Sequence, residues 1–320
     1  MSDPLVSVIM NCHNGAAELP DALRSVREQT FRDYEIVFWD NASTDGSGEL
    51  AKNFGPGLRY FRSEEKTSLG AARNSAISQA RGKYIAFLDC DDLWAPEKLA
   101  LQVDLFRKNP ALGLVCCDTE IKRGYRTVGR FFETSLPRRG KVFAELLRDQ
   151  WISMSSAMIS AEALRKIRED AAAIQPLWFD ESLNVCEEAD VFYRTARDFE
   201  LDYIDRPLAV WRAHGNNTTF ARFGEIAAET RLILAKFRRL YPGFDEEYGD
   251  TAEILTRRAD FQEAVSSWKE GNGVRARELI RPWLPASRKY RMFWLASYLP
   301  GSLFNALAGL YFSLPGFLRR

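Results

Sequence analysis

Three carboxylates crowd one short stretch, Asp89-Cys90-Asp91-Asp92, directly behind an apolar run, Tyr84-Ile85-Ala86-Phe87-Leu88. Like charges this close repel, so the group needs a cation nearby or it takes up protons. Carboxylate oxygens suit a hard divalent ion, Mg2+ or Mn2+. Such an ion, held by one or two carboxylates, carries substrate phosphates on its other positions. The turn therefore points to a metal-bridged phosphorylated substrate at the C-terminal end of a strand. A plainer reading stands beside it: Asp clusters after strands also build Asx-turns, and Pro96 suits the first turn of a helix. On that reading Asp92 only shapes the entry into a helix over 97–108.

The elements that must position this turn are legible as a pattern. Short apolar, β-rich runs at 6–10, 35–39, 58–61, 84–88 and 112–117 read as strands, and amphipathic stretches between them read as helices. Helices are expected over 18–29 and 70–80, the second closed by Gly82. This alternation predicts a parallel α/β sheet with helices on both faces. Ligands of such sheets sit outside the carboxyl ends of the strands. His13-Asn14, Asp40 and the acidic turn all follow strand ends, so they are expected to converge on one edge. Residues 118–212 are less regular, with strands expected at 154–159, 201–204 and 208–211 and a helix at 187–198. From about residue 223 the pattern is wholly helical, with a helical hairpin expected around Gly271-Asn272-Gly273.

Composition removes several function classes. Lys+Arg and Asp+Glu both number 44, so no basic field draws nucleic acid. The two histidines, His13 and His214, rule out a multi-histidine metal centre, and none of the five cysteines stands in a CxxC pair. Free thiols and the lack of a signal-peptide pattern at Met1-Ser2-Asp3-Pro4 lead to a cytoplasmic expectation. The C-terminus departs from the average. No acidic residue follows Glu278, and residues 292–318 carry no charge, with Arg288, Lys289 and Arg291 before them and Arg319 and Arg320 after. Pro300-Gly301, Asn305, Gly309 and Pro315-Gly316 interrupt this stretch. Short helices lying on an anionic membrane surface are expected, at its inner face, rather than a span.

The order of the motifs carries a family resemblance. Val6-Ser7-Val8-Ile9-Met10 with Asn14 comes first, then Ser25-Val26 with Gln29-Thr30, and Glu35-Ile36-Val37 with Asp40 and Ser43-Thr44-Asp45-Gly46. Ala72-Arg73-Asn74, the strand and acidic turn at 84–92, Glu187-Glu188, and Trp211-Arg212-Ala213-His214 with Asn216-Asn217 follow. Together they cover roughly residues 5–218, and their agreement across levels resembles the inverting family 2 glycosyltransferases with the GT-A fold. The resemblance implies a GT-A type mixed sheet over 1–220, with a nucleotide-sugar half at 1–117 and an acceptor half at 118–220. A helical extension at 221–320 lies outside it.

The same resemblance implies transfer of a sugar from a nucleotide-diphosphate donor, UDP-linked, to a hydroxyl of a glycan or lipid-linked acceptor in cell-surface polysaccharide synthesis. The transfer would use Mn2+ or Mg2+ and invert the anomeric centre. It places His13 and Asn14 by the nucleobase, Asp40 on base or ribose, and Arg73 in the donor pocket. Asp91 is the expected direct metal ligand, Asp89 is shared between metal and ribose, and His214 lies near metal or diphosphate. Inversion in one displacement needs a general base at the acceptor hydroxyl. The family places it in an acidic pair opening a helix, usually Glu-Asp. This chain has Glu187-Glu188, which puts a longer Glu188 at the usual Asp position, with Glu187 and Asp190 as fallbacks. Acids in a first helical turn are also favoured by the helix dipole, and Asp190 with Arg194 makes an i,i+4 pair. Two other functions compete. A sugar nucleotidyltransferase would want a Gly-rich phosphate loop where Asn11-Cys12-His13-Asn14-Gly15 stands. An inactive transferase-like membrane adaptor would not need the carboxylates.

Overall fold

The structure, a computed structural model, describes residues 3–172, 174, 176–213 and 222–303. The chain divides into two compact units, Met1–Asn217 and Thr218–Arg320.

The first unit is built on nine strands: β1 (Val6–Cys12), β2 (Tyr34–Asp40), β3 (Leu58–Arg62), β4 (Tyr84–Phe87), β5 (Leu93–Trp94), β6 (Leu112–Arg123), β7 (Arg126–Arg130), β8 (Met158–Ser160) and β9 (Glu200–Arg212). They form one sheet in the order β3-β2-β1-β4-β8-β6-β9-β5, with β7 paired to β6. β1 is buried along its whole length, as its near-continuous apolar run requires of a central parallel strand. On one face Val6, Val8 and Met10 join Ile36 and Phe38, and the Leu19–Arg27 helix presses Leu19, Leu23 and Val26 into the same core.

The expected parallel sheet holds for β3, β2, β1 and β4. Beyond β4 it does not. β8 runs antiparallel to both β4 and β6, so the sheet is mixed. The strands expected at 201–204 and 208–211 are one strand, β9, with a register break where Cys117 pairs Ile204 and Asp118 pairs Pro207. Pro207 lacks an N–H, and a bulge is a place in a sheet that tolerates it. The strand expected at 154–159 is a 3₁₀ turn, Met154–Ser156, followed by β8. Gly82 does not close the preceding helix, which ends at Ile77. It lies where the chain crosses β1: a Cβ there would stand 2.4 Å from the Ser7 backbone nitrogen.

The second unit is helical. The Phe223–Leu240 and Phe244–Lys269 helices join through Gly243, whose φ of 82° needs a glycine-like conformation. Arg231 ties them with ion pairs to Asp260 at 2.6 Å and Glu263 at 2.7 Å. The Gly273–Ile280 and Arg288–Ala296 helices complete it, with Ala264, Val265, Trp268, Ala276, Ile280 and Phe293 as a core of its own. Among the described residues no helix is long and apolar enough to cross a membrane. Residues 304–318, most of the uncharged C-terminal stretch, lie outside the described residues with Arg319 and Arg320.

Candidate active site

The C-terminal ends of β1, β2 and β4 carry the sites read from the sequence. His13, just past β1, donates from Nδ1 to the Asn41 carbonyl at 2.8 Å, while its Nε2 faces Asn14 Nδ2 at 3.4 Å. Asn14 adopts a left-handed φ of 55°, which Asn tolerates. Its Oδ1 accepts from Thr44 N at 2.7 Å, and its own N–H reaches Ser43 Oγ. His13 and Asn14 therefore brace the loop after β2.

Asp40 ends β2 fully buried. Its Oδ1 accepts from Ser43 N at 2.7 Å, and its Oδ2 accepts from Tyr60 Oη at 2.6 Å and Arg62 Nη1 at 2.6 Å. Burial works to raise this carboxyl. The hydrogen bonds from Tyr60 and Ser43, with the Arg62 charge, outweigh it and hold the carboxyl below its usual value. These contacts are those of a loop cap, the plainer reading of Asp40.

The acidic turn separates into two kinds of carboxylate. Asp92 is buried and turned inward: Ser155 Oγ donates to its Oδ2 at 2.6 Å and Arg212 N to its Oδ1 at 3.1 Å. The same Ser155 oxygen accepts from Asp89 N at 3.2 Å. The Arg212 side chain closes over the turn, donating to the Asp91 carbonyl, and reaches Glu18 O at 3.1 Å on the opposite segment. The expected turn-shaping role of Asp92 is thus given physical form, although β5 intervenes before the Lys98–Lys108 helix. Asp89 and Asp91 remain half-buried. Burial raises the Asp89 carboxyl, Arg73 opposes this and Asp91 adds to it. Asp92 is pushed well above the usual range by burial, and by Asp89 and Asp91.

Those raised carboxyls describe a turn short of positive charge, and its oxygen donors fit a hard divalent ion. Among the described residues no group of three or more His, Cys, Asp or Glu forms a metal cage. A two-carboxylate site that leaves positions for phosphate and water fits the donor set. His214 lies outside the described residues.

Arg73 is the centre of the site. It stands on the Leu69–Ile77 helix, whose N-cap Ser68 accepts from Ala71 N at 3.3 Å. Its side chain is buried, with Nη1 2.8 Å from Glu187 Oε1 and Nη2 3.1 Å from Asp89 Oδ1. The guanidinium also lies 5.5 Å from the centroid of the Phe179 ring. Neighbouring Asn74 fixes that ring's segment, donating to Phe179 O at 2.9 Å and accepting from Phe179 N at 2.8 Å. Arg73 thus joins the acidic turn to the start of the Glu187–Asp198 helix, and Glu187 is engaged in holding it. Asp190 makes the expected i,i+4 pair with Arg194 at 2.8 Å, with both side chains buried. Glu188 stands half-buried beside the bridge. Burial pushes its carboxyl up to about 8; Arg73 pulls against this, and Glu187 and Asp89 push with it. A carboxyl tuned toward neutral pH is what a general base requires. Sequence reasoning missed Ser155 and Phe179. Neither has a local pattern to betray it, because each meets the site only through long-range packing.

The glycosyl transferase family 2 model matches residues 7–168. The uncharacterized glycosyltransferase MJ1057 of Methanocaldococcus jannaschii is 25% identical over 228 residues, covering 69% of this chain and 75% of that protein. WfgD of Escherichia coli, a UDP-Glc:alpha-D-GlcNAc-diphosphoundecaprenol beta-1,3-glucosyltransferase, is 32% identical over 132 residues, covering 41% of this chain and 52% of that protein. Among solved structures, the mannosyltransferase PcManGT from Pyrobaculum calidifontis, in complex with GDP-Man and Mn2+, matches 98% of this chain and 89% of its own. That match has a TM-score of 0.58 and 19% identity, and so speaks to the fold. The chain belongs to glycosyl transferase family 2 and is a glycosyltransferase with the GT-A fold.

Proposed function

We propose that this enzyme moves a sugar from a UDP-linked donor to a hydroxyl of a glycan or lipid-linked acceptor, with a divalent metal and inversion, in cell-surface polysaccharide synthesis. One observation carries the reading: Arg73 ties the acidic turn to the helix that presents Glu188. Residues 1–117 would form the nucleotide-sugar half and residues 118–220 the acceptor half. Glu188 takes the proton from the acceptor hydroxyl as that oxygen attacks the anomeric carbon from the face opposite the leaving diphosphate. A base set by its surroundings near neutral pH suits that step. Asp91 would hold Mn2+ or Mg2+ directly, with Asp89 shared between metal and ribose. The bound ion supplies Lewis-acid stabilisation of the charge growing on the diphosphate. Arg73 works against the burial that raises the Asp89 carboxyl and fixes its direction. His13 and Asn14, braced on the β2 loop, would form one wall of the base pocket, and His214 would approach the metal or diphosphate.

The donor of WfgD, UDP-Glc, supports a UDP-linked donor here, and its lipid-diphosphate acceptor supports a lipid-linked one. A cytoplasmic enzyme held at the inner membrane face fits the second unit. Met292, Leu295 and Tyr298 are exposed at 68%, 64% and 61%. Arg288 and Arg291 are exposed on the same helix, whose stretch lacks acids, as binding to anionic lipid favours. A panel of UDP- and GDP-sugars, assayed for hydrolysis with and without Mn2+, tests the reading. Mn2+-dependent turnover of one donor is expected. No turnover and no metal-dependent binding of any donor would overturn it.

A further inference from the structure

We propose that Cys12 and Cys90 are a reversible oxidation site, a thiol pair that closes to a disulfide and locks the acidic turn onto β1. Cys12 is the last residue of β1 and Cys90 is the residue between Asp89 and Asp91. β1 and β4 are parallel neighbours, and each cysteine lies three residues past the paired Ile9 and Phe87. The ladder continues beyond that pair, with Leu88 N donating to Ile9 O at 3.0 Å. β4 ends at Phe87, so Cys90 lies in the turn beyond the ladder, and the placement of the two sulfurs carries the pairing.

The side chains meet. Gly15 marks the gap they share: a Cβ there would stand 2.8 Å from Cys90 Sγ and 3.0 Å from Cys12 Sγ. Glycine at 15 therefore leaves the room in which the sulfurs face each other. The two differ in access to a small-molecule oxidant. Cys90 is partly buried, whereas Cys12 is 2% exposed. The other cysteines are Cys116 and Cys117, both buried, and Cys186.

The chemistry balances with a small-molecule disulfide as oxidant. The Cys90 sulfur attacks one sulfur of that disulfide, its S–S bond breaks, and one thiol leaves with a proton. The Cys12 sulfur then attacks Cys90 in the mixed disulfide, and the second thiol leaves with a proton. Two protein thiols and one disulfide become one protein disulfide and two small thiols, and two electrons pass to the oxidant. An S–S bond of about 2.0 Å draws Cys90 toward β1, and Asp89 and Asp91 are its immediate neighbours. The expected consequence is weaker metal-dependent nucleotide binding, which rests on the metal-turn reading above. The disulfide itself does not.

Two measurements on the full chain test this. After treatment with oxidised glutathione, digestion without reductant and mass spectrometry should find Cys12 and Cys90 peptides linked, and dithiothreitol should release them. Glutathione left on Cys90, linkage of Cys90 to Cys186, or unmodified thiols would overturn the proposed pair. Mn2+-dependent binding of UDP or GDP, whichever the reduced protein binds, should weaken about 10–100-fold on oxidation, as when the supporting shell of a metal site is disturbed. Binding by Cys90→Ser, which lacks the attacking thiol, should not respond to the oxidant. A linked protein that binds as tightly as the reduced one would overturn the lock. A reduced protein that binds no nucleotide with Mn2+ would instead count against the metal-turn reading, and the linked peptide still decides the pair.

Discussion

Arg73 and Glu187, 114 residues apart in sequence, form a buried ion pair at 2.8 Å with side chains 2% and 5% exposed. A second arm of Arg73 reaches Asp89. One cation thus offsets two carboxylates from different elements, and the site's architecture depends on it. A buried pair adds little over an apolar replacement of both partners, but breaking it strands a charge.

Arg73→Met is expected to destabilise the first unit by about 3–5 kcal/mol, the cost of an uncompensated buried charge. Adding Glu187→Gln should recover part of that loss. Urea unfolding of the single and double variants measures it. A single variant as stable as the parent would mean the pair is dispensable.

Glu188→Gln keeps the shape of the proposed base and removes its proton affinity. Donor affinity should be unchanged, while transfer falls about 10²–10⁴-fold, the usual contribution of a positioned base. Glu188→Asp draws the carboxylate back by one methylene and should fall between the two. Near-normal turnover by the Gln variant would place the base elsewhere.

The raised Glu188 carboxyl fixes the sign of the pH dependence. Burial favours the protonated form, so the basic form is gained as pH rises through a value up to about 8. kcat/KM should climb toward that pH and level above it, and a bound divalent cation would shift the limb downward. Glu188→Gln should lose the limb. A wild-type rate that is flat or falls over this range would contradict the assignment.

The exposed apolar face of the Arg288–Ala296 helix yields a binding prediction. The full chain should sediment with vesicles containing anionic lipid and less with neutral ones. Met292→Glu with Leu295→Glu should release it. Equal sedimentation of the double variant would remove that helix from the contact.

The central strands and the acidic turn were legible because they are local. β1, β2 and β4 are short apolar runs, and each ends in the polar residues that mark a strand end in an α/β sheet. The antiparallel insertion of β8 between β4 and β6 had no such signature, since pairing partners lie far apart in sequence. β9 read as two strands because Arg206-Pro207 looks like a break, while the sheet absorbs it in a bulge. In the site, the division of labour among Asp89, Asp91 and Asp92 depends on Ser155 and Arg212, which approach from distant segments. The spacing of Arg73 and Glu187 likewise carries no periodic signal. The resemblance implies that Asp40 meets base or ribose; its bonds to Tyr60 and Arg62, brought in by β3, carry no signal in the sequence.

Nucleotide binding by wild type and Asp91→Ala, titrated with and without Mn2+, tests the central claim most directly. UDP or GDP should bind the wild type tightly only with the metal. Asp91→Ala should bind weakly, with Mn2+ making no difference. An Asp91→Ala protein that keeps the full Mn2+ dependence would contradict the account of the acidic turn.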